Sequence, residues 1–84
     1  MENKVLITLY VPYLDQKYDM YIPVNKRIYS IIDLIKMSLF ELSEGNFDIK
    51  QEYELYNHDN GELYNMNVLV RDTNIKNNTN LMLI

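Results

Sequence analysis

The residues of this chain that could carry out catalysis are few. Its 84 residues include one histidine and no cysteine, so thiolate nucleophiles, disulfides and cysteine metal sites are excluded. His58 is followed by Asp59, but a general base needs a nucleophile or a bound water beside it. The neighbouring residues are turn formers and predict a surface turn instead. We therefore expect no enzymatic activity, no catalytic site and no cofactor.

Two short motifs have the form of a binding or modification site. Asp59-Asn60-Gly61-Glu62 resembles part of a calcium loop, but it lacks the ligand spacing of a complete EF-hand loop and predicts a turn without a metal. Residues 77–79 form a glycosylation sequon. Because no secretory signal precedes it, we expect no glycosylation.

Composition and charge predict one globular domain over residues 1–84. Apolar residues make up 48 % of the chain and charged residues 24 %, which is typical of a packed domain. The net charge of −4 and the absence of a basic cluster argue against nucleic-acid binding, which depends on clustered lysine and arginine. The chain has neither a signal-like start nor an apolar run long enough to cross a bilayer. We expect a cytoplasmic protein that does not insert into the membrane.

Two strands are predicted at the start of the chain, because apolar and polar residues alternate there. In residues 5–11 the core-facing set is Val5, Ile7, Leu9 and Val11, and the outward set is Leu6, Thr8 and Tyr10. In residues 18–22, Met20 and Ile22 should face inward and Asp19 and Tyr21 outward. Pro12 and Pro23 should end the two strands, since proline has no amide hydrogen. The two strands then form a hairpin.

The apolar spacing next changes to three and four residues, which predicts an amphipathic helix from about Lys26 to Leu42. Asn25 is the expected N-cap, and Gly45 should take the left-handed conformation that ends helices. The side chains expected to pack this helix on the core are Ile28, Ile31, Ile32, Ile35, Leu39 and Leu42.

The rest of the chain predicts a second, shorter set of strands. Phe47 and Ile49 should fill the core from a connecting segment. Residues 52–56 alternate again, with Tyr53 and Leu55 inward and Glu54 and Tyr56 outward. Turn formers at 57–61 precede a segment, residues 62–64, that could add a further short strand. Residues 68–73 predict a helical turn or irregular structure, Ile75 should return to the core, and residues 80–84 predict the last strand.

The order β-β-α-β-β predicts an α+β protein with the β-grasp, or ubiquitin-like, fold. That fold has a mixed sheet, here of four to five strands, with one main helix across one face. Its first and last strands lie side by side and parallel at the centre. The most apolar strands of this chain are those two, as a central position requires.

Residues 18–35 resemble a known bacterial family. Tyr18-Asp19-Met20-Tyr21-Ile22-Pro23, followed by Ile28-Tyr29-Ser30-Ile31-Ile32-Asp33-Leu34-Ile35, is similar to the YukD/EsaB ubiquitin-like proteins of Gram-positive type VII secretion loci. In those proteins a Tyr-Asp-hydrophobe-x-hydrophobe-Pro strand leads into such a helix. Residues 70–84 also resemble the closing turn and strand of ubiquitin.

The resemblance implies an accessory or regulatory protein of a type VII secretion system. Its partner would be a cytosolic domain of the secretion machinery or a regulator, bound non-covalently, and binding would recruit the protein to the inner face of the membrane. Modifiers and sulfur carriers of this fold end in Gly-Gly, whereas Gly45 and Gly61 lie far from the last residue. We therefore expect no conjugation. The fold also permits a free-standing ubiquitin-like scaffold or regulator in an unrelated cytosolic pathway.

The outward side of the predicted sheet, called the outer sheet face below, is the candidate protein-binding surface. Tyrosine and methionine are enriched at protein interfaces, although tyrosine also occurs on sheets because of its strand propensity. The face could bind a partner protein or support a weak homodimer about a two-fold axis. Its predicted members are Leu6, Thr8, Tyr10, Tyr21, Glu54, Tyr56, Met82 and Ile84.

Overall fold

The computed structural model describes residues 3–84. Along the chain, two strands precede one α-helix and two strands follow it. The strands are β1 (Lys4–Val11), β2 (Gln16–Pro23), β3 (Leu55–Asn57) and β4 (Asn80–Leu83), and the helix is α1 (Ile28–Leu42). A short 3-10 helix, Val70–Asp72, precedes β4. The strands form one four-stranded sheet in the order β2-β1-β4-β3.

The strand pairing confirms the predicted β-grasp topology. β1 pairs antiparallel with β2 over the full length of both strands. It pairs parallel with β4 in a register that sets Tyr10 beside Met82, and β4 pairs antiparallel with β3. The first and last strands are therefore the central ones. Their parallel arrangement follows from the helical crossover that separates them along the chain.

The core lies between α1 and one face of the sheet, and the predicted register of β1 is confirmed. Ile7, Leu9 and Val11 are at most 1 % exposed, and Val5 is partly buried against the same core. The buried side chains of α1 are Ile28, Ile31, Ile32, Ile35 and Leu39. The buried side chains of α1 therefore pack against alternate residues of the strands. The other face of the sheet points away from the helix.

The segment between α1 and β3 contributes to this core, as predicted. The Phe47 side chain is 1 % exposed; it stacks on Tyr53 with ring centroids 4.8 Å apart and meets Tyr13 edge-on at 5.7 Å. Ile49 is partly buried beside it. Farther along, Ile75 is 6 % exposed, so its predicted return to the core is also confirmed.

The start of α1 differs from the prediction. Helical structure begins at Ile28 rather than near Lys26, and the N-cap is Arg27, without a side-chain cap bond, instead of Asn25. The reason is long-range pairing: the Val70 amide donates to the Lys26 carbonyl (2.9 Å), which holds the chain extended before the helix. The carbonyl of Val68 accepts a bond from the Ile28 amide (2.9 Å). A neighbouring segment therefore satisfies a helix N-terminal amide that a side-chain cap would otherwise satisfy.

The end of α1 confirms Gly45 in the left-handed region, with φ of +85°. Glu44 shares that conformation, with φ of +55°. The Gly45 amide donates to the Phe40 carbonyl at 2.8 Å and the Glu44 amide to the Glu41 carbonyl at 3.1 Å, which is a Schellman-type ending. Leu42, predicted in the core, is 61 % exposed, because it is the last helical residue and the buried stripe of the helix ends at Leu39. No helix within residues 3–84 has the length and apolar run of a membrane span.

The second pair of strands is shorter than the alternation predicted. β3 covers only Leu55–Asn57, although Glu54 and Ile84 exchange two further backbone hydrogen bonds of 2.7 and 3.1 Å. Residues 62–64 do not form a strand; Leu63 makes a single antiparallel bridge with Tyr56. The intervening turn contains Gly61 with φ of +76°, and the chain turns again at residues 66–67, so the pairing does not continue.

Candidate protein-binding surface

All eight predicted members of the outer sheet face lie on the side of the sheet away from α1 or directly extend it. Their exposure differs. Tyr21 and Ile84 are 55 % and 48 % exposed, and Glu54 is also exposed. The half-buried members are Leu6, Thr8, Tyr10, Tyr56 and Met82. The face therefore consists of a semi-buried floor with exposed apolar groups at its margins.

Three of these residues form a row across the strands. Tyr10 on β1 and Tyr56 on β3 both pair in register with Met82 on the strand between them. Directly paired residues of neighbouring strands project on the same side of a sheet. Two tyrosine rings therefore flank one thioether at the middle of the face.

The pattern of the sequence did not identify Leu63 as part of this surface. Leu63 pairs with Tyr56, so it projects on the same side, and it is 51 % exposed. Ile84 lies two positions after Met82, just beyond the end of β4, where it exchanges two backbone hydrogen bonds with Glu54, and it lies on that side as well. We call Tyr56, Leu63, Met82 and Ile84 the β3–β4 patch. The short segment 62–64 after the turn was the only sign in the sequence that Leu63 could join the sheet. Spacing alone did not show which strand this segment would pair with.

Polar contacts divide the outer sheet face. The Thr8 hydroxyl donates to the Asp19 carboxylate at 2.8 Å, and the Asn80 side-chain amide donates to both carboxylate oxygens of Asp59 at 3.3 Å. The His58 ring stacks on Tyr10 with centroids 5.2 Å apart. Thr8 pairs with both Asp19 and Asn80, and the His58 amide donates to the Asn80 carbonyl at 2.9 Å, so these residues form one row between Leu6 and the β3–β4 patch. Leu6 and Tyr21 are consequently separated from the β3–β4 patch, so the predicted outer sheet face is not one continuous apolar surface.

A buried polar network fixes the turn that carries Leu63. Asn57, which is 8 % exposed, donates to the Tyr64 hydroxyl at 3.1 Å and accepts from the Asp59 and Asn60 amides at 2.9 and 3.2 Å. The Tyr64 hydroxyl donates to the Asn74 side chain at 2.7 Å. Satisfied buried networks of this kind favour a single conformation. The position of Leu63 beside Tyr56 is therefore set by side chains below the turn.

Stability is expected to fall above pH 10, because two buried tyrosines must keep their protons. Burial, with a smaller effect from Asp48, raises the pKa of Tyr53 above its usual 10.0. Burial also raises the pKa of Tyr64, against a lowering effect of the Asn57 hydrogen bond. A raised folded-state pKa stabilises the fold below the unfolded-state value, and this contribution is lost as the pH rises through the folded-state value.

Denaturant unfolding between pH 8 and pH 12 tests this expectation. The Tyr53→Phe/Tyr64→Phe variant lacks these two hydroxyl groups and keeps every other group that titrates in the same pH range. Its free energy of unfolding should decline less steeply above pH 10 than that of the wild type. Parallel declines in the two proteins would show that neither hydroxyl is linked to folding.

The protein is similar in structure to several solved domains. The sequence matches no family model. A search of curated proteins likewise finds no match.

Several solved structures share the fold over almost the whole chain. The ubiquitin-like domain of the type VII secretion system protein EccD1 from Mycobacterium tuberculosis superposes with a TM-score of 0.75 at 13 % identity, covering 96 % of this chain and 97 % of that one. The EccD5 ubiquitin-like domain from Mycobacterium xenopi gives 0.72 at 16 % identity, over 96 % and 92 %. A chain of the ESX-5 inner membrane complex gives 0.74 at 11 % identity, over 98 % of this chain and 21 % of that one. These likenesses show that the chain has the ubiquitin-like fold.

Proposed function

We propose that this protein is a ubiquitin-like accessory or regulatory component of a type VII secretion system, which works in the cytoplasm by non-covalent binding and has no enzymatic activity. Residues 18–35 resemble the YukD/EsaB proteins. Ubiquitin-like domains of type VII secretion proteins share its fold over at least 96 % of its length. Both observations support a role in type VII secretion.

The exposed β3–β4 patch is the main structural support for non-covalent protein binding. Leu63 and Ile84 are each about half exposed, so burial of the exposed half of each side chain would stabilise a complex by about 1 kcal/mol. Tyr56 adds a rigid ring and Met82 an adaptable thioether between them. A patch of this composition is suited to an apolar surface on another protein. We infer that this surface belongs to a cytosolic domain of the secretion machinery or to its regulator.

The chain of the ESX-5 inner membrane complex supports the choice of partner class. The region that superposes on this protein makes up about a fifth of that longer chain. A ubiquitin-like unit is thus compatible with an assembly at the membrane. Binding through the β3–β4 patch would recruit this protein to the inner face of the membrane.

Gene deletion with complementation tests the proposed function. In the cell that encodes this protein, deletion should reduce export of the small helical-hairpin substrates of the secretion system, and the wild-type gene should restore it. The Leu63→Lys/Ile84→Lys variant should fail to restore export. A matched control, Asn46→Lys/Gln51→Lys, adds the same charge at two exposed positions away from the sheet and should restore it.

Two results would contradict the proposal. Unchanged export after deletion would remove the link with secretion and favour a regulator in an unrelated pathway. Full restoration by the Leu63→Lys/Ile84→Lys variant, with the variant present at wild-type level, would show that the β3–β4 patch is not the functional surface.

A further inference from the structure

The two edges of the sheet differ in how they are covered. At the β3 edge, the Tyr64 amide donates to the Leu55 carbonyl at 3.0 Å and the Asn57 amide to the Glu62 carbonyl at 2.8 Å. β2 is the opposite edge. Within residues 3–84, no backbone hydrogen bond reaches the outer side of that eight-residue strand. An exposed edge of this length presents its backbone groups to another strand.

The register shows which backbone groups face outward. The Val24 amide donates to the Asn3 carbonyl at 2.9 Å, one step beyond the last residue pair of the β1–β2 ladder. Because alternate residues of an antiparallel strand bond to the same neighbour, the even-numbered residues of β2 face β1. Lys17, Asp19 and Tyr21 therefore direct their amide and carbonyl groups away from the sheet.

We propose that β2 of a second copy of this chain pairs antiparallel with this edge, about a two-fold axis at Tyr18. In this register Lys17 of each copy lies opposite Asp19 of the other. Four backbone hydrogen bonds form between these two pairs of residues, since each hydrogen-bonded pair exchanges two. Opposite charges face each other twice across the new strand pair, which stabilises cross-strand pairs.

Charge favours this register over those with the two-fold axis at another residue of β2. An axis at Lys17 or at Asp19 sets like charges directly opposite each other, which is destabilising. An axis at Met20 sets Lys17 opposite Pro23, which has no amide hydrogen to donate. Of these registers, only the one with its axis at Tyr18 sets Lys17 opposite Asp19. An unrelated extended segment would have to supply the same alternation of signs, whereas a second copy supplies it by symmetry.

Two exposed leucines of α1 lie on the side of the helix away from β3. Leu34 and Leu42 are 51 % and 61 % exposed and lie about two turns apart on one side of the helix. Lys36 lies on the other side, where its ammonium donates to the Gln51 carbonyl near β3. The side with Leu34 and Leu42 therefore points toward the β2 edge. In the proposed dimer the two-fold axis is perpendicular to the sheet, so the two helices lie on the same face of the joined sheets.

Sedimentation velocity over a concentration series, with charge-swapped variants, tests the proposal. The wild type should shift from monomer to dimer as its concentration rises. Lys17→Asp and Asp19→Lys should each weaken dimerisation by about tenfold or more, because each replaces two attractive pairs by two repulsive ones. The combined Lys17→Asp/Asp19→Lys variant re-creates opposite charges and should recover most of the wild-type affinity. Lys50→Asp and Asp72→Lys, at exposed positions outside β2, are matched controls and should dimerise as the wild type does.

Amide hydrogen exchange of the wild type provides a readout that needs no variant. The Lys17 and Asp19 amides should gain protection as the concentration rises, and the Tyr21 amide should not. A wild type that is monomeric at every concentration would overturn the proposal and leave the edge for an extended segment of another protein. A folded charge-swapped double variant that dimerises no better than the single variants would also overturn it.

Discussion

Replacing Phe47 by alanine is expected to lower the free energy of unfolding by about 3–5 kcal/mol. The side chain is 1 % exposed and packs between the rings of Tyr53 and Tyr13. Alanine would leave a cavity that the end of α1 and the following segment could fill only in part. Small domains have a total stability of about 5–15 kcal/mol, so the variant would lose a large share of it. Urea unfolding followed by circular dichroism measures the change.

Two variants serve as controls for Phe47→Ala. Phe47→Leu keeps most of the apolar volume and should cost about 1–2 kcal/mol. Tyr13→Ala removes an aromatic neighbour that is itself 51 % exposed, so it should cost about 1 kcal/mol or less. Wild-type stability of Phe47→Ala would show that the segment after α1 is a linker over the core and not a part of it.

Asn57→Ala is expected to destabilise the fold by about 2–3 kcal/mol, because it leaves buried partners without hydrogen bonds. Its carboxamide oxygen accepts from the Asp59 and Asn60 amides, and its nitrogen donates to the Tyr64 hydroxyl. Loss of these bonds should also release Leu63 from its place beside Tyr56. Thermal and urea unfolding give the change in stability.

Asn65→Ala is a matched control for Asn57→Ala. The Asn65 side chain also accepts a backbone amide, that of Asn67 at 2.8 Å, but the residue is exposed. Water can replace that bond, so the cost should be about 1 kcal/mol or less. Equal effects of the two variants would contradict the role given to burial of the Asn57 network.

Local periodicity was sufficient to predict the fold, because the β-grasp core is built from uninterrupted patterns. The alternation in β1 and the isoleucine spacing in α1 each determine which side of one element is apolar, and burial follows from that side alone. The errors occur where distant segments meet. Residues 66–70 replace Asn25 as the cap of α1, and no local pattern contains that pairing.

The sequence predicted which side chains of the candidate surface point outward but not how far the surface extends. Tyr56 and Met82 were assigned outward by alternation, and the register places them side by side. The contribution of Leu63 depends on the path of the turn after β3, and the division of the face depends on the stack of His58 on Tyr10. Both are contacts between elements joined by loops. Sequence spacing defines the direction of a strand residue but not the neighbour that covers it.

We propose that the β3–β4 patch binds a protein of the secretion machinery, and an NMR titration would detect this binding residue by residue. Isotope-labelled protein is titrated with the cytosolic domains of the secretion system from the same cell. We expect amide shifts concentrated at Tyr56, Leu63, Met82 and Ile84, and an affinity about 100-fold lower for Leu63→Lys/Ile84→Lys than for the wild type, as for the loss of buried hot-spot residues. Shifts confined to α1 or β2, or equal affinity of the folded variant and the wild type, would contradict the claim.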